Sequence, residues 1–115
     1  MYNQGDILLV PLPFTDLSSQ KRRPVLVLFK NEYNDTADDV IVADITYNVD
    51  KKPYIVVLTN DDMEVGSLKV DSCVRADKIY TLSKDIVVRR FGKVKSIITE
   101  RTKDKVWEIM DKLTE

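Results

Sequence analysis

The chain has 115 residues and a mass of 13.3 kDa, a length typical of a single domain that builds its own core. Hydrophobic residues make up 43% and charged residues 32%, a balance that excludes a disordered chain. One cysteine and no histidine exclude disulfide frameworks, Cys/His zinc sites, Ser-His-Asp triads and Cys-His dyads. Any chemistry must therefore use carboxylates, hydroxyls, lysine or arginine.

No apolar stretch approaches the ~20 residues of a membrane span, and the N-terminus lacks the basic-then-apolar pattern of a signal peptide. We therefore expect a soluble, cytoplasmic protein. The lone Cys73 is compatible with a reducing compartment.

Charge is distributed unevenly along the chain, although the net charge is −1 and the isoelectric point is about 5.5. Residues 21–30 carry four bases and no acid, residues 31–50 carry six acids and no base, and residues 84–105 carry eight bases and three acids. The overall acidity is unlike that of a typical nucleic-acid-binding domain. The local basic segments indicate either a groove for phosphates or ordinary solvated surface.

The composition favours strands, because the chain has 15 valines and 9 isoleucines but only 3 glycines. Five apolar runs have strand length and β-branched character, and a shorter sixth follows. They are Gly5–Leu12, Pro24–Phe29, Val40–Tyr47, Tyr54–Leu58, Cys73–Tyr80 and Ile86–Arg89. The first two are apolar almost throughout, which is expected of strands covered on both faces in a small closed barrel.

Three polar segments separate these runs. Pro13–Arg22 is long for a hairpin connection and carries hydroxyl and charged side chains, which is typical of a functional loop. Asn31–Asp39 and Asn48–Pro53 are expected to be surface loops.

The C-terminal segment changes to helical periodicity. Thr99 is a suitable N-cap, and Glu100 then lies in the first turn, so we predict a helix over Glu100–Leu113 that seals one side of the barrel. We expect Trp107, beside the apolar stripe, to pack against the core. That stripe consists of Val106, Ile109, Met110 and Leu113.

Arg75 and Asp77 are the first candidate site residues. They lie two apart in CVRADKIY, so a strand places them on one face, opposite Val74 and Ala76. A charged pair on a strand of a small apolar barrel is typical of a face that lines a cleft or an interface. The alternative is an exposed ion pair worth roughly a few tenths of a kcal/mol.

Asp44 and Thr46 show the same spacing at the end of VIVADITY, where a strand would emerge from the core. Arg23 directly precedes Pro24, which favours an extended backbone at Arg23 and fixes the entry of the second strand. The planar guanidinium group with its five donors suits a phosphate.

The opening segment GDILLVPLPFTDLSSQKRRPVLVL resembles that of the PemK/MazF family, toxins of bacterial toxin–antitoxin pairs that act as RNA endonucleases. VIVADIT, the spacing to Gly66 and Leu68, and DSCVRADKIYTL continue the resemblance in the same order, over residues 5–113. The resemblance implies a mainly β fold, a small SH3-like barrel of CcdB/PemK type with a C-terminal α-helix. It also implies a homodimer that cleaves single-stranded RNA without metal or other cofactor and is inhibited by an antitoxin with an acidic C-terminal segment.

Carried over residue by residue, the resemblance implies catalytic roles for Arg23, Thr46, Arg75 and Asp77. In part of the family the Arg-x-Asp pair has acid and base roles, whereas other members lack it or use a loop histidine that is absent here. The first loop lies over the RNA groove in the family. The implied RNA-binding residues are Ser18, Ser19, Gln20, Lys21, Arg22 and Asp44.

The implied reaction uses the RNA's own 2′-hydroxyl as the nucleophile, so the protein must orient it, accept its proton and stabilise negative charge. Asp77 is the expected base, on condition that burial raises its pKa. Arg23 and Arg75 are expected to act as electrostatic clamps rather than proton donors.

Other interpretations stay open on the sequence. The Arg23–Thr46 pair is the alternative centre of catalysis, and a non-catalytic RNA- or protein-binding barrel or a CcdB-like gyrase inhibitor is the alternative function. The carboxylates of Asp61, Asp62 and Glu64 are expected to form an acidic surface turn rather than a metal site.

Overall fold

A curled antiparallel sheet of seven strands, with a C-terminal helix packed against it, forms the protein in the computed structural model, which describes residues 2–11, 22–47 and 53–113. The strands are β1 (Asp6–Pro11), β2 (Arg22–Val27), β3 (Asp39–Thr46), β4 (Ile55–Leu58), β5 (Met63–Val65), β6 (Ser72–Ser83) and β7 (Arg89–Val94). The helices are α1 (Asn31–Thr36) and α2 (Ser96–Leu113). The strands lie in the order β4-β6-β3-β2-β1-β7-β5, so β3 is near the centre between β2 and β6.

Strands β1, β2 and β3 are covered on both faces, because their successive side chains enter different apolar clusters. Ile7 and Leu26 belong to the cluster that includes Ile98 of α2, whereas Leu8 and Val25 belong to a second cluster on the opposite face. The mainly β fold with a C-terminal helix, and the covering of β1 and β2 on both faces, are confirmed.

The first five predicted strands are present as β1, β2, β3, β4 and β6, and the last of these extends to Ser83. The predicted sixth strand, Ile86–Arg89, is wrong, because a 3-10 turn occupies Lys84–Ile86 and β7 begins at Arg89. Strand β7 carries three basic residues and a glycine, so its sequence lacks an apolar pattern. Strand β5 was missed, because three residues are too few to show a period.

The predicted surface loop Asn31–Asp39 instead contains the short helix α1 and the start of β3. The side chain of Asn34 is fully buried, and its Nδ2 donates a hydrogen bond to the carbonyl of Phe29 at 2.8 Å. This local polar contact orders the segment, although its composition is that of a loop. Most of the other two predicted loops, at residues 13–21 and 48–52, lies outside the described residues.

Helix α2 begins at Ser96, so the predicted start at Glu100 is wrong, and Thr99 is buried inside the helix rather than capping it. The packing expected for Trp107 is also wrong, because its side chain is 68% exposed. Ile98 and Thr102 make the buried contacts instead, near the N-terminal end of the helix. Among the described residues, no helix is long and apolar enough to cross a membrane.

Replacing Ile98 and Trp107 with alanine should separate the two ends of α2. Ile98→Ala should lower the free energy of unfolding by about 2–5 kcal/mol, because it opens a cavity in the cluster under the helix. Trp107→Ala should change it by about 0.5 kcal/mol or less, because the side chain is exposed. Urea unfolding of the two variants measures both values, and equal losses would contradict this packing.

Candidate active site

The structure brings together Arg23 of β2, Asp44 of β3, and Arg75 and Asp77 of β6. Asp44 is opposite Arg75 in the register of β3 and β6, and its carboxylate contacts the guanidinium of Arg23. Thr46 follows two residues later on β3, so strand alternation places it on the same face. Three neighbouring strands therefore supply a cluster of charged and hydroxyl side chains.

Arg23 lies where β2 separates from β3. The pairing of these strands begins at Val25, so Pro24, which has no N–H group, costs the sheet no hydrogen bond there. The Nη1 atom of Arg23 lies 3.3 Å from Oδ1 and 3.4 Å from Oδ2 of Asp44. The start of β2 thus brings the side chain of Arg23 into contact with Asp44 of β3.

A bulge in β6 shapes the other side of the cluster. Ala43 is opposite Ile79, whereas the next residue, Asp44, is opposite Arg75, so residues 76–78 have no register partner on β3. The amide of Ala76 donates instead to the carbonyl of Tyr54 at 3.0 Å. Tyr54 has a positive φ of 63°, an unfavourable conformation for a tyrosine, and such local strain is common near functional sites.

Arg75 and Asp77 form a bidentate ion pair along one strand. Nε of Arg75 donates to Oδ1 of Asp77 at 3.0 Å, and Nη2 donates to Oδ2 at 2.7 Å. This hydrogen bonding lowers the pKa of Asp77 and raises that of Arg75. The shared face predicted for this pair, with Val74 and Ala76 buried opposite, is confirmed. The condition for Asp77 to be an effective base, a pKa raised by burial, is not met, because hydrogen bonding to the Arg75 guanidinium lowers its pKa and its side chain is still 32% exposed.

Asp44 is the carboxylate whose pKa is raised, and the main cause is desolvation by burial, since its side chain is only 3% exposed. The positive charges of Arg23, Lys78 and Arg75 oppose this rise. The burial does not fit the expected direct contact between Asp44 and RNA. Lys78 was missed by the sequence analysis, because simple strand alternation would place it on the face opposite to Asp77.

The remaining predicted site residues are only partly placed. Arg22 is exposed at the start of β2, next to Arg23. Ser18, Ser19, Gln20 and Lys21 lie outside the described residues.

The acidic segment near residues 61–64 forms a 3-10 turn followed by β5. Asp62 accepts hydrogen bonds from the amide and hydroxyl of Thr59 at 2.7 and 3.1 Å, so its carboxylate caps the turn. Within the described ranges, no three Asp, Glu or Cys side chains come together as a metal-binding group.

The model of PemK-like, MazF-like toxins of type II toxin–antitoxin systems matches residues 3–110. The chain belongs to this PemK/MazF family. It is therefore a toxin of MazF type from a type II toxin–antitoxin system. No individually curated protein matches the sequence significantly.

Solved structures of MazF proteins and of an endoribonuclease share the fold. An endoribonuclease from a mycobacterial species, in complex with its cognate antitoxin, is 20% identical, with a TM-score of 0.77 and 96% of each chain covered. The Mycobacterium tuberculosis toxin MazF-mt6 is 23% identical, with a TM-score of 0.74, over 92% of this chain and 96% of the other. A MazE–MazF structure from Deinococcus radiodurans is 17% identical, with a TM-score of 0.75, over 95% and 94% of the chains.

The contact between Arg23 and Asp44 predicts how the stability of an Arg23 variant changes with pH. Arg23→Ala leaves the buried Asp44 carboxylate without its guanidinium, so the pKa of Asp44 should rise further. The variant should lose about 1–3 kcal/mol of unfolding free energy at neutral pH, and less as the pH falls and Asp44 becomes protonated. Thermal unfolding across pH measures this loss.

Arg22→Ala is the matched control, because Arg22 is the exposed neighbour on the same strand. It should cost about 0.5 kcal/mol or less at every pH. A loss for Arg23→Ala that stays constant with pH would show that Asp44 does not depend on this contact.

Proposed function

We propose that this PemK/MazF toxin is an endoribonuclease that cleaves single-stranded RNA, with Arg23, Thr46, Arg75 and Asp77 as its catalytic residues. The observation that carries the proposal is the convergence of two arginine–aspartate pairs on neighbouring strands of one sheet. Together with Lys78, the cluster has three positive and two negative charges, in a protein of net charge −1. Such local positive charge favours a phosphodiester.

The reaction uses a nucleophile that RNA supplies. The 2′-oxygen attacks the adjacent phosphorus as its proton passes to a base, and the bond from phosphorus to the 5′-oxygen breaks. The products are a 2′,3′-cyclic phosphate and a 5′-hydroxyl, which takes a proton from water. Arg23 and Arg75 stabilise the additional negative charge on phosphorus, because a guanidinium keeps its proton and directs several donors at phosphate oxygens.

Asp77 is the carboxylate of the cluster that RNA can reach, since Asp44 is buried. Its lowered pKa makes it a weaker base than an ordinary aspartate, and it accepts the proton of the 2′-hydroxyl in its ionised form. Its bidentate ion pair with Arg75 also holds that guanidinium in one orientation. Thr46 supplies a hydroxyl for the phosphate or for the 2′-oxygen.

We propose that the chain acts as one domain over residues 1–115 and forms a homodimer, and that RNA contacts the polar and basic residues 18–22, which lead into β2. The residues assigned to this contact are Ser18, Ser19, Gln20, Lys21 and Arg22. An antitoxin partner is supported by two of the similar structures, which are complexes of a toxin with its antitoxin.

Cleavage should require the 2′-hydroxyl and no added metal. The protein should cut a long single-stranded RNA in excess EDTA, leave the matching DNA intact, and produce 5′ fragments ending in a 2′,3′-cyclic phosphate. Arg23→Ala and Asp77→Ala should each lower the rate by about 10²-fold or more, the scale of losing a positioned charge or base. Gel analysis of end-labelled RNA measures both the products and the rates.

Arg101→Ala, an exposed substitution on α2, is the control and should cleave at the normal rate. Cutting at a position that carries 2′-deoxyribose, or activity that returns only with Mg²⁺, would refute this mechanism. An inactive Arg23→Ala variant beside a fully active Asp77→Ala variant would place catalysis on Arg23 and Thr46.

An acidic antitoxin segment should compete with RNA for the cluster, because carboxylates can replace phosphates beside Arg23 and Arg75. Binding of an acidic antitoxin peptide should weaken as salt rises, and saturating peptide should displace a fluorescent single-stranded RNA. Fluorescence anisotropy measures the competition. Binding of both ligands without mutual weakening would rule out a shared site.

A further inference from the structure

Asp44 occupies an unusual place for a carboxylate. It lies on β3, between β2 and β6, and its side chain is 3% exposed. Two residues earlier along the strand, Val42 belongs to a buried apolar cluster. Oδ1 of Asp44 accepts no hydrogen bond within the described part of the chain, although it lies 3.3 Å from Nη1 of Arg23. The strand thus buries a negative charge with incomplete hydrogen bonding.

Stability alone does not explain this charge. Burying a carboxylate is unfavourable unless short, well-aligned hydrogen bonds offset the loss of water. The contacts with Arg23 are long, at 3.3 and 3.4 Å, and they converge on a single nitrogen. An apolar residue like Val42 would suit the strand better, so the carboxylate serves another purpose.

The electrostatic surroundings indicate that purpose. Asp44, on β3, contacts Arg23 of β2 and is opposite Arg75 of β6 in the strand register. The positive charges of both arginines and of Lys78 favour its ionised form. Arg75 is already oriented by its two hydrogen bonds to Asp77. Arg23 has only the Asp44 contact among the ion pairs that join described residues. Without an anion between them, the cationic groups would repel one another.

We propose that Asp44 is a positioning residue, whose ionised carboxylate holds the Arg23 guanidinium beside Arg75 so that both arginines can bind one phosphate. This inference rests on the proposed nuclease function, and it assigns Asp44 no contact with RNA. It replaces the expected role of Asp44 as an RNA ligand with a role beneath the surface that binds RNA.

The inference predicts how cleavage depends on pH. Because burial raises the pKa of Asp44, the carboxylate becomes neutral at a higher pH than an ordinary aspartate and then releases Arg23. The pKa of Asp77 is lowered and that of Arg75 is raised, so neither of these two groups changes its charge over that range. Activity should therefore fall, on acidification, at the raised pKa of Asp44.

The experiment compares wild type, Asp44→Asn and Asp39→Asn between about pH 4 and about pH 8. Asp44→Asn keeps the side-chain shape but removes the charge, and it should lower kcat by about tenfold or more. The fall of activity on acidification that the titration of Asp44 causes, the acidic limb of the pH–rate profile, should also be absent from this variant. Asp39 is the matched control, an exposed aspartate on the same strand, and its variant should reproduce the wild-type profile.

A double-mutant cycle tests whether Asp44 acts through Arg23. Once Arg23→Ala is present, adding Asp44→Asn should change the rate by less than about twofold, because the group that Asp44 positions is gone. If Asp44→Asn does not fold, Arg23→Ala alone is decisive, because its residual activity should lack the acidic limb seen in wild type.

The outcomes separate this inference from the proposed function. If wild type cleaves RNA and Asp44→Asn has the same kcat and the same acidic limb, the positioning role is overturned and the nuclease stands. Independent, additive losses in the cycle also overturn it. If wild type cuts no RNA, the proposed nuclease function fails. The positioning role of Asp44 is then tested by the binding of a fully 2′-deoxy oligonucleotide to wild type and to Asp44→Asn. Equal affinity of wild type and Asp44→Asn at neutral pH would overturn the positioning role as well.

Discussion

The register between β3 and β6 is the constraint on which the site depends. The two strands pair from Asp39 to Thr46, but the register shifts between Ala43 and Asp44 because β6 bulges at residues 76–78. An unbroken ladder would place another residue opposite Asp44 and carry Arg75 away from it. The bulge instead places Arg75 opposite Asp44, and Asp77, within the bulge, accepts a hydrogen bond from Arg75.

This geometry gives the two aspartates opposite electrostatic properties. Asp77, part-exposed and bonded twice to a guanidinium, has a lowered pKa, whereas Asp44, buried with long contacts, has a raised one. Two chemically identical side chains in one cluster can therefore serve different purposes. The exposed one can meet a substrate, and the buried one can act only through its neighbours.

The apolar runs of the sequence were enough to predict five strands, because alternation and β-branched residues leave a clear pattern in buried strands. The pattern failed where local contacts decided the structure. Asn34 orders α1 through a buried hydrogen bond, and β7 pairs with β1 despite its polar sequence. The apolar side chains of α2 were only partly predictive, because Ile98 near its N-terminal end is fully buried, while Met110 and Trp107 are exposed.

The sequence by itself determined the mainly β fold, the C-terminal helix and the Arg75–Asp77 pair, because each depends on composition, spacing or neighbours along one strand. It also determined the family, through a resemblance that extends over nearly the whole chain. Only the tertiary structure decided that Arg23 meets Asp44, that Asp44 is buried, and that Lys78 acts on it. These features depend on strand register and on desolvation. Both arise when segments distant along the chain pack together, so a local sequence pattern does not predict them.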